Sequence, residues 1–431
     1  MSSRPVRLGA SLLAATAVAA ASGTAAARPS DHRSPDADAR PTAQAGTDWG
    51  PGWSAPVQRP SSGFEENWAE TGFADQTVRQ VVRVTNGGTA ARITLSNRYG
   101  RRPLRIAGAT IARTAHGPAV QPGTLRRLSF GHRTSVTIPA GGERASDAAP
   151  LRVEPFTSVT VTLYFAEPTG PSTFHSQAYA TSYRADGDQR LDRTGAPFTA
   201  RTHSWYYLSD VELTGGGSPG RDTVVAFGDS ITDGFGSTVD GDARWPDALA
   251  RRLAATGMPR PVLNSGIGGN LLLHDSAWYG DRASDRFQRD VLNKPGVRTV
   301  VLLEGLNDIG FSEVDLPTYR PNPQVSAEQV IAGYRELIER AHARGVRVIG
   351  GTILPFKGAE YHTPRSEAKC AVINAWIRDS GEFDAVADFA AALASPDDPL
   401  ALDPAYDSGD HKHPNDAGYR VMAEAIDLDT L

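Results

Sequence analysis

Between residues 73 and 211 the apolar side chains recur at every second position, and after Asp222 this gives way to short apolar runs alternating with helical periods. A period of two places alternate side chains on one face of a strand, whereas an apolar run followed by a 3.6-residue period is a buried strand feeding a helical crossover. One layer arrangement cannot satisfy both patterns, so two architectures in series are expected. In the first, Val78, Val82 and Val84, then Ile93 and Leu95, Leu104 and Ile106, Val136 and Ile138, and Val159, Val161, Leu163 and Phe165 alternate between turn signals at Asn86-Gly87-Gly88, Tyr99-Gly100 and Ala140-Gly141-Gly142. That spacing predicts an all-β, sandwich-like region. In the second, strands are predicted at 223–227, 261–263, 299–303, 346–354 and 385–388. A helix follows Ser326, which forms a capping box with Gln329; Val330, Ile331, Tyr334, Leu337, Ile338 and Ala341 make its apolar face, and Gly345 ends it. This is the pattern of a doubly wound α/β fold, whose ligand sites lie beyond the carboxyl ends of the strands.

The chain of 431 residues exceeds what one hydrophobic core organises, and the turn-rich segment Thr214-Gly215-Gly216-Gly217-Ser218-Pro219-Gly220 marks the boundary. Ahead of the β-rich part, Arg4 and Arg7, the apolar run 8–21 and Ala25-Ala26-Ala27 make the three regions of an export signal cleaved near Ala27. The expected organisation is a signal peptide at 1–27, a disordered leader at 28–47, a β-sandwich-like accessory domain at 48–213, a linker at 214–221 and an α/β domain at 222–431. The protein is therefore expected to be secreted. No later run reaches the roughly 18–20 apolar residues of a membrane span, so no integral membrane segment is expected. A net charge of −5 without a basic run argues against nucleic acid as a partner. The single cysteine, Cys370, excludes an intrachain disulfide and is read as a buried packing residue. His116, His132 and His175 are far apart and are read as surface or packing residues, and the sequence carries no signal for an oligomeric state.

Chemistry is expected at the strand ends. Gly228-Asp229-Ser230-Ile231-Thr232-Asp233-Gly234 follows the first predicted parallel strand directly, which exposes Ser230 at a strand-to-helix turn; alone, such a serine reads as readily as a helix cap. Near the chain end, Asp410-His411-Lys412-His413 can bring a carboxylate to Nδ1 of His413, leaving Nε2 to accept the Ser230 proton. The competing readings are a metal site on Asp410, His411 and His413, or a solvated charged loop. A tetrahedral intermediate also needs donors for its oxyanion. The loop Asn264-Ser265-Gly266-Ile267-Gly268-Gly269-Asn270 offers backbone amides, and Glu304-Gly305-Leu306-Asn307-Asp308 offers an uncharged carboxamide.

These four segments, in this order, resemble the four sequence blocks of the SGNH or GDSL-type serine hydrolases across residues 223–426. The resemblance implies a three-layer, flavodoxin-like α/β/α hydrolase domain with Ser230 as nucleophile, His413 as base and Asp410 orienting it. It further implies an oxyanion hole made by the amides of Ser230 and Gly269 and the side chain of Asn307. A G-x-S-x-G elbow is absent, which sets the chain apart from the common α/β-hydrolase arrangement. The expected function is hydrolysis of carboxylic esters, short-chain or acetyl, on a small molecule or a polysaccharide, without cofactor or metal. A lipase for longer acyl chains, a carbohydrate-binding protein with an inactive hydrolase domain and a metal-assisted phosphodiesterase are the rivals. Leu271-Leu272-Leu273 could line an acyl pocket and Trp278 and Tyr279 could face a ring, or all five could simply pack.

Overall fold

The computed structural model describes residues 49–215, 222–320 and 322–431; the expected signal peptide and leader, and residues 216–221 of the expected linker, lie outside them. A β-rich region is followed by an α/β domain, both within one compact unit, Thr47–Leu431.

The β-rich region is built from two antiparallel sheets. In one, Gly50–Ser54, Leu208–Thr214, Gly88–Ser96 and Ala149–Val153 lie in that order; in the other the order is Ala200–Thr202, Ser182–Asp186, Gln76–Arg83, Ser158–Phe165, Gly108–His116, Ala119–Val120. Val78, Val82, Val159, Val161 and Leu163 of the second sheet share one core with Ile93, Leu95 and Val211 of the first. The period-two residues thus mark one face of each strand, as the sequence predicts. The opposite face of the second sheet is also covered, a departure from simple alternation. Arg79 lies fully buried there, donating from Nη1 to Pro118 O (2.6 Å), from Nη2 to Asp192 O (2.8 Å) and from Nε to Thr162 Oγ1 (3.1 Å). Three hydrogen bonds to neutral oxygens replace the water that a buried guanidinium loses.

In the α/β domain five parallel strands, Thr223–Gly228, Val262–Gly266, Val297–Leu303, Arg347–Gly351 and Ala385–Ala387, pair in the order second, first, third, fourth, fifth. This is the flavodoxin-like order, with its switch point beside the first strand. The expected strand at 346–354 ends at Gly351, because Ile353 leaves the sheet and gives both its amide and its carbonyl to the side chain of Asn374 (2.8 Å each). Burial continues past that point, so the apolar run does not show where pairing stops. The helix Ala327–His342 has its capping box on Ser326 and Gln329, and buries Val330, Ile331, Tyr334, Leu337, Ile338 and Ala341. Cys370 is buried in the helix Pro364–Asp379, and burial pushes its thiol up to about 12, which leaves it an inert packing residue.

The two parts keep separate apolar cores and meet largely through polar contacts. Thr85 Oγ1 exchanges hydrogen bonds with the carbonyl and amide of Val262 (3.2 Å each), Lys294 donates to Asp210 (2.6 Å), Tyr99 to Asp281 (2.5 Å), and the hydroxyl and amide of Thr181 to Asp240 (2.6 and 2.7 Å).

Candidate active site

The first parallel strand ends at Gly228, and Asp229 caps the one-turn helix Ser230–Asp233 by accepting from the Ile231 amide (3.0 Å). The cap is therefore Asp229, and Ser230 is free to present its side chain. Its Oγ lies 2.7 Å from His413 Nε2, and His413 Nδ1 lies 2.5 Å from Asp410 Oδ2. A carboxylate accepts only, so Nδ1 carries the ring proton and Nε2 accepts from the serine hydroxyl. The second Asp410 oxygen accepts the amides of His413 (2.9 Å) and Lys412 (3.2 Å), which fixes the carboxylate within its own turn. Phe235 packs on the imidazole, with ring centroids 4.3 Å apart.

His413 is buried, and desolvation lowers its pKa below 6.5 against the opposing pull of Asp410. Asp410, with its side chain one-third exposed, is shifted against the direction that burial alone would give. Burial would raise its pKa, but the hydrogen bond and charge of His413 and the two amides outweigh that and hold it below the usual carboxylate range. His411 does not join this group; its Nδ1 binds Asp407 (2.7 Å) and the ring is exposed. Among the described residues no group of three His, Cys, Asp or Glu side chains is arranged to hold a metal ion.

The loop after the second strand supplies Gly269, with φ of +71°; a Cβ there would stand 2.5 Å from the Tyr279 ring, so the position admits glycine alone. Among the described residues the amides of Ser230 and Gly269 have no acceptor, whereas Ile267, Gly268 and Asn270 donate to Gly228 O (3.1 Å), Asp233 Oδ2 (2.9 Å) and Ile267 O (3.1 Å). Asn307 lies between the two loops. Its Nδ2 donates to Asn270 O (2.9 Å) and approaches Asp229 Oδ2 at 3.4 Å. The five expected residues are therefore linked directly, or through the neighbours Asn270 and Asp229.

Leu271 and Leu272 turn into the core, and the amides of Leu272 and Leu273 bind Asp308 (2.8 and 3.0 Å). They pack rather than line an acyl pocket. Tyr279 is buried with its ring stacked on Phe64 of the β-rich region (5.2 Å, 17°).

Sequence reasoning missed the floor of the site. Arg286, fully buried, donates to Asn270 Oδ1 (2.7 Å), Ser265 O (2.8 Å), Gly228 O (2.8 Å) and Glu304 Oε1 (3.2 Å), and its guanidinium lies 4.1 Å from the Phe227 ring centroid. It thus ties together the ends of the first three strands. Within Asp-Arg-Phe-Gln-Arg-Asp no spacing distinguishes it from a solvated charge run. Around it, burial raises the pKa of Glu304 and lifts Asp229 and Asp308 to about 7. His175 is also not the mere packing residue expected of it, since its Nε2 meets Asp233 Oδ1 at 3.0 Å.

Residues 226–421 match the GDSL-like Lipase/Acylhydrolase family. The match lies within the α/β domain and supports a hydrolase acting on esters, in keeping with the resemblance carried by its four segments. Among solved structures, a GDSL-like lipase from Bacteroides thetaiotaomicron is 21% identical over 48% of this chain and 87% of its own, with a TM-score of 0.36. An acetyl-xylooligosaccharide esterase from Geobacillus is 24% identical over 47% of this chain and 91% of its own (TM-score 0.36). A lipase/acylhydrolase from Enterococcus faecalis is 18% identical over 47% and 92% (TM-score 0.36). No curated protein matches the chain.

Proposed function

We propose that this protein is an exported serine esterase that cleaves carboxylic esters of short acyl groups through an acyl-enzyme on Ser230. The observation that carries the reading is the continuous hydrogen-bonded series Ser230 Oγ, His413 Nε2, His413 Nδ1, Asp410 Oδ2, at 2.7 and 2.5 Å, at the carboxyl end of the first strand. Ser230 Oγ attacks the carbonyl carbon as its proton passes to His413 Nε2, and the carbonyl oxygen takes up the negative charge. The amides of Ser230 and Gly269 and Nδ2 of Asn307 are the donors for that charge. Collapse breaks the bond to the alcohol oxygen, which leaves with the proton from His413; water then repeats the sequence, releasing the acid and restoring Ser230.

A short acyl group is favoured by the aromatic rings around the serine. Phe235 sits on His413, Tyr279 sits against Gly269, and Leu271 and Leu272 are spent on the core. Export rests on the signal at residues 1–27. The test is turnover of 4-nitrophenyl acetate, butyrate and octanoate, beside acetate release from acetylated polysaccharide, by the wild type and Ser230→Ala. The wild type should turn over acetate fastest, an organophosphonate should label Ser230, and Ser230→Ala should be inactive while keeping its thermal midpoint. Near-normal turnover by the alanine variant would overturn the serine mechanism. Binding of polysaccharide without any ester cleavage would favour the carbohydrate-binding alternative.

A further inference from the structure

Part of the β-rich region reaches into the loop that would hold the oxyanion. His175 is buried in the short strand Phe174–His175; its Nδ1 faces Pro56 O (2.9 Å), and its ring stacks on Trp205 (5.4 Å, 26°). The segment is pinned further by Gln58, whose amide donates to Phe174 O (2.6 Å) and whose side chain accepts from the Ser176 amide (2.9 Å). His175 Nε2 meets one oxygen of Asp233 at 3.0 Å, and the other oxygen of Asp233 accepts the Gly268 amide at 2.9 Å. Both ring nitrogens thus face oxygen atoms, Pro56 O on one side and Asp233 Oδ1 on the other.

Gln177, two residues on, presses against the same glycine. A Cβ at Gly268 would fall 1.7 Å from Gln177 Oε1, a buried oxygen with no hydrogen-bond partner among the described residues. Gly268 is peptide-bonded to Gly269, whose free amide is the expected oxyanion donor. A hydrogen-bonded Gly268 and a covering side chain leave the Gly268–Gly269 peptide little freedom to rotate.

We propose that the β-rich region completes the ester-hydrolysing site, with His175 acting through Asp233 as a positioning residue for the Gly268–Gly269 peptide. The inference rests on the esterase reading above. It gives the β-rich region a part in turnover itself, independent of any affinity for a polymer. Preorganised donors act mainly in the transition state, and misplacement by about 1 Å costs up to about 100-fold in rate, so the loss should fall on kcat.

The test uses the full chain with 4-nitrophenyl acetate. His175→Leu should lower kcat about 10- to 100-fold with KM within about two-fold of wild type. His175→Gln, which keeps a donor toward Asp233, should recover most of that loss, and amide exchange in a peptide spanning 262–272 should be faster in His175→Leu than in His175→Gln. Should His175→Leu fail to fold, Asp233→Ala, which removes both the partner of His175 Nε2 and the acceptor of the Gly268 amide, should show the same selective loss in kcat. Wild-type kcat in a folded His175→Leu or Asp233→Ala variant would overturn the proposal, as would equal losses in the Leu and Gln variants. Turnover that survives Ser230→Ala would overturn the esterase reading; turnover that needs Ser230 but ignores His175 would overturn only this one.

Discussion

Asn307→Ala separates catalysis from architecture in one side chain. In the resting site Nδ2 of Asn307 donates to Asn270 O at 2.9 Å, and its other hydrogen has only a long approach to Asp229 Oδ2 at 3.4 Å. That second hydrogen is underused in the ground state, and in the proposed mechanism it is fully used only when an oxyanion forms. Removing one such donor costs about 2.7–4 kcal/mol of transition-state stabilisation, or roughly 10²–10³ in kcat, with little change in KM. The substitution also strips the donor from a buried carbonyl, Asn270 O, which costs about 1–3 kcal/mol of stability. In a domain of this size that corresponds to a fall in midpoint of a few °C, at about 2–4 °C per kcal/mol. Steady-state kinetics on 4-nitrophenyl acetate and a thermal melt of the same preparation read the two effects separately. An unchanged kcat with a raised KM would assign Asn307 to ground-state binding and refute its place in the oxyanion hole.

Two further outcomes follow from burial. Because His413 must be neutral to accept the Ser230 proton and burial lowers its pKa, kcat/KM should rise with pH to a plateau with a midpoint on the acid side of 6.5; a midpoint on the alkaline side would show Asp410 outweighing burial. Arg286→Leu would leave Asn270 Oδ1 and Glu304 Oε1 without their donor and take one from Ser265 O and from Gly228 O, which keeps the Ile267 amide; at about 1–3 kcal/mol per orphaned acceptor the loss is a large share of a domain's stability, so the variant should melt well below wild type, and a wild-type midpoint would refute the strand-end tie.

What the sequence makes legible is whatever a period or a fixed local spacing encodes. The five parallel strands, the capping box at Ser326 and the Asp-x-x-His turn are all local, and each lies within a residue or a few of its expected position. The two-residue strands Phe174–His175 and Trp205–Tyr206 are too short to show a period, and they are the ones that seat His175. Leu271 and Leu272 look alike as pocket or core residues, because both environments select the same side chains; only the hydrogen bonds that the amides of Leu272 and Leu273 donate to Asp308 decide where that loop turns. Arg286 and His175 act on partners 18 to 58 residues away in sequence (Glu304 and Gly228 for the first, Asp233 for the second), and no local pattern carries such a pairing.

The acidic floor poses an electrostatic problem that burial itself resolves. Asp229, Glu304 and Asp308 lie behind a site that must stabilise a new negative charge, and three full carboxylates in a low-dielectric interior would oppose it. Burial pushes Glu304 up and brings Asp229 and Asp308 to about 7, so that near neutral pH the floor carries well under three negative charges. The charge that remains is compensated locally: Arg286 binds Glu304, the Leu272 and Leu273 amides bind Asp308, and the Ile231 amide binds Asp229. Burial lowers the Arg286 pKa while Asp290 and Glu304 raise it, so the cation is held in place by the acids it neutralises. The same side chains tie the first three strand ends to the two loops that carry Gly269 and Asn307, which makes the lowered charge of the floor and the geometry of the expected oxyanion donors consequences of one network.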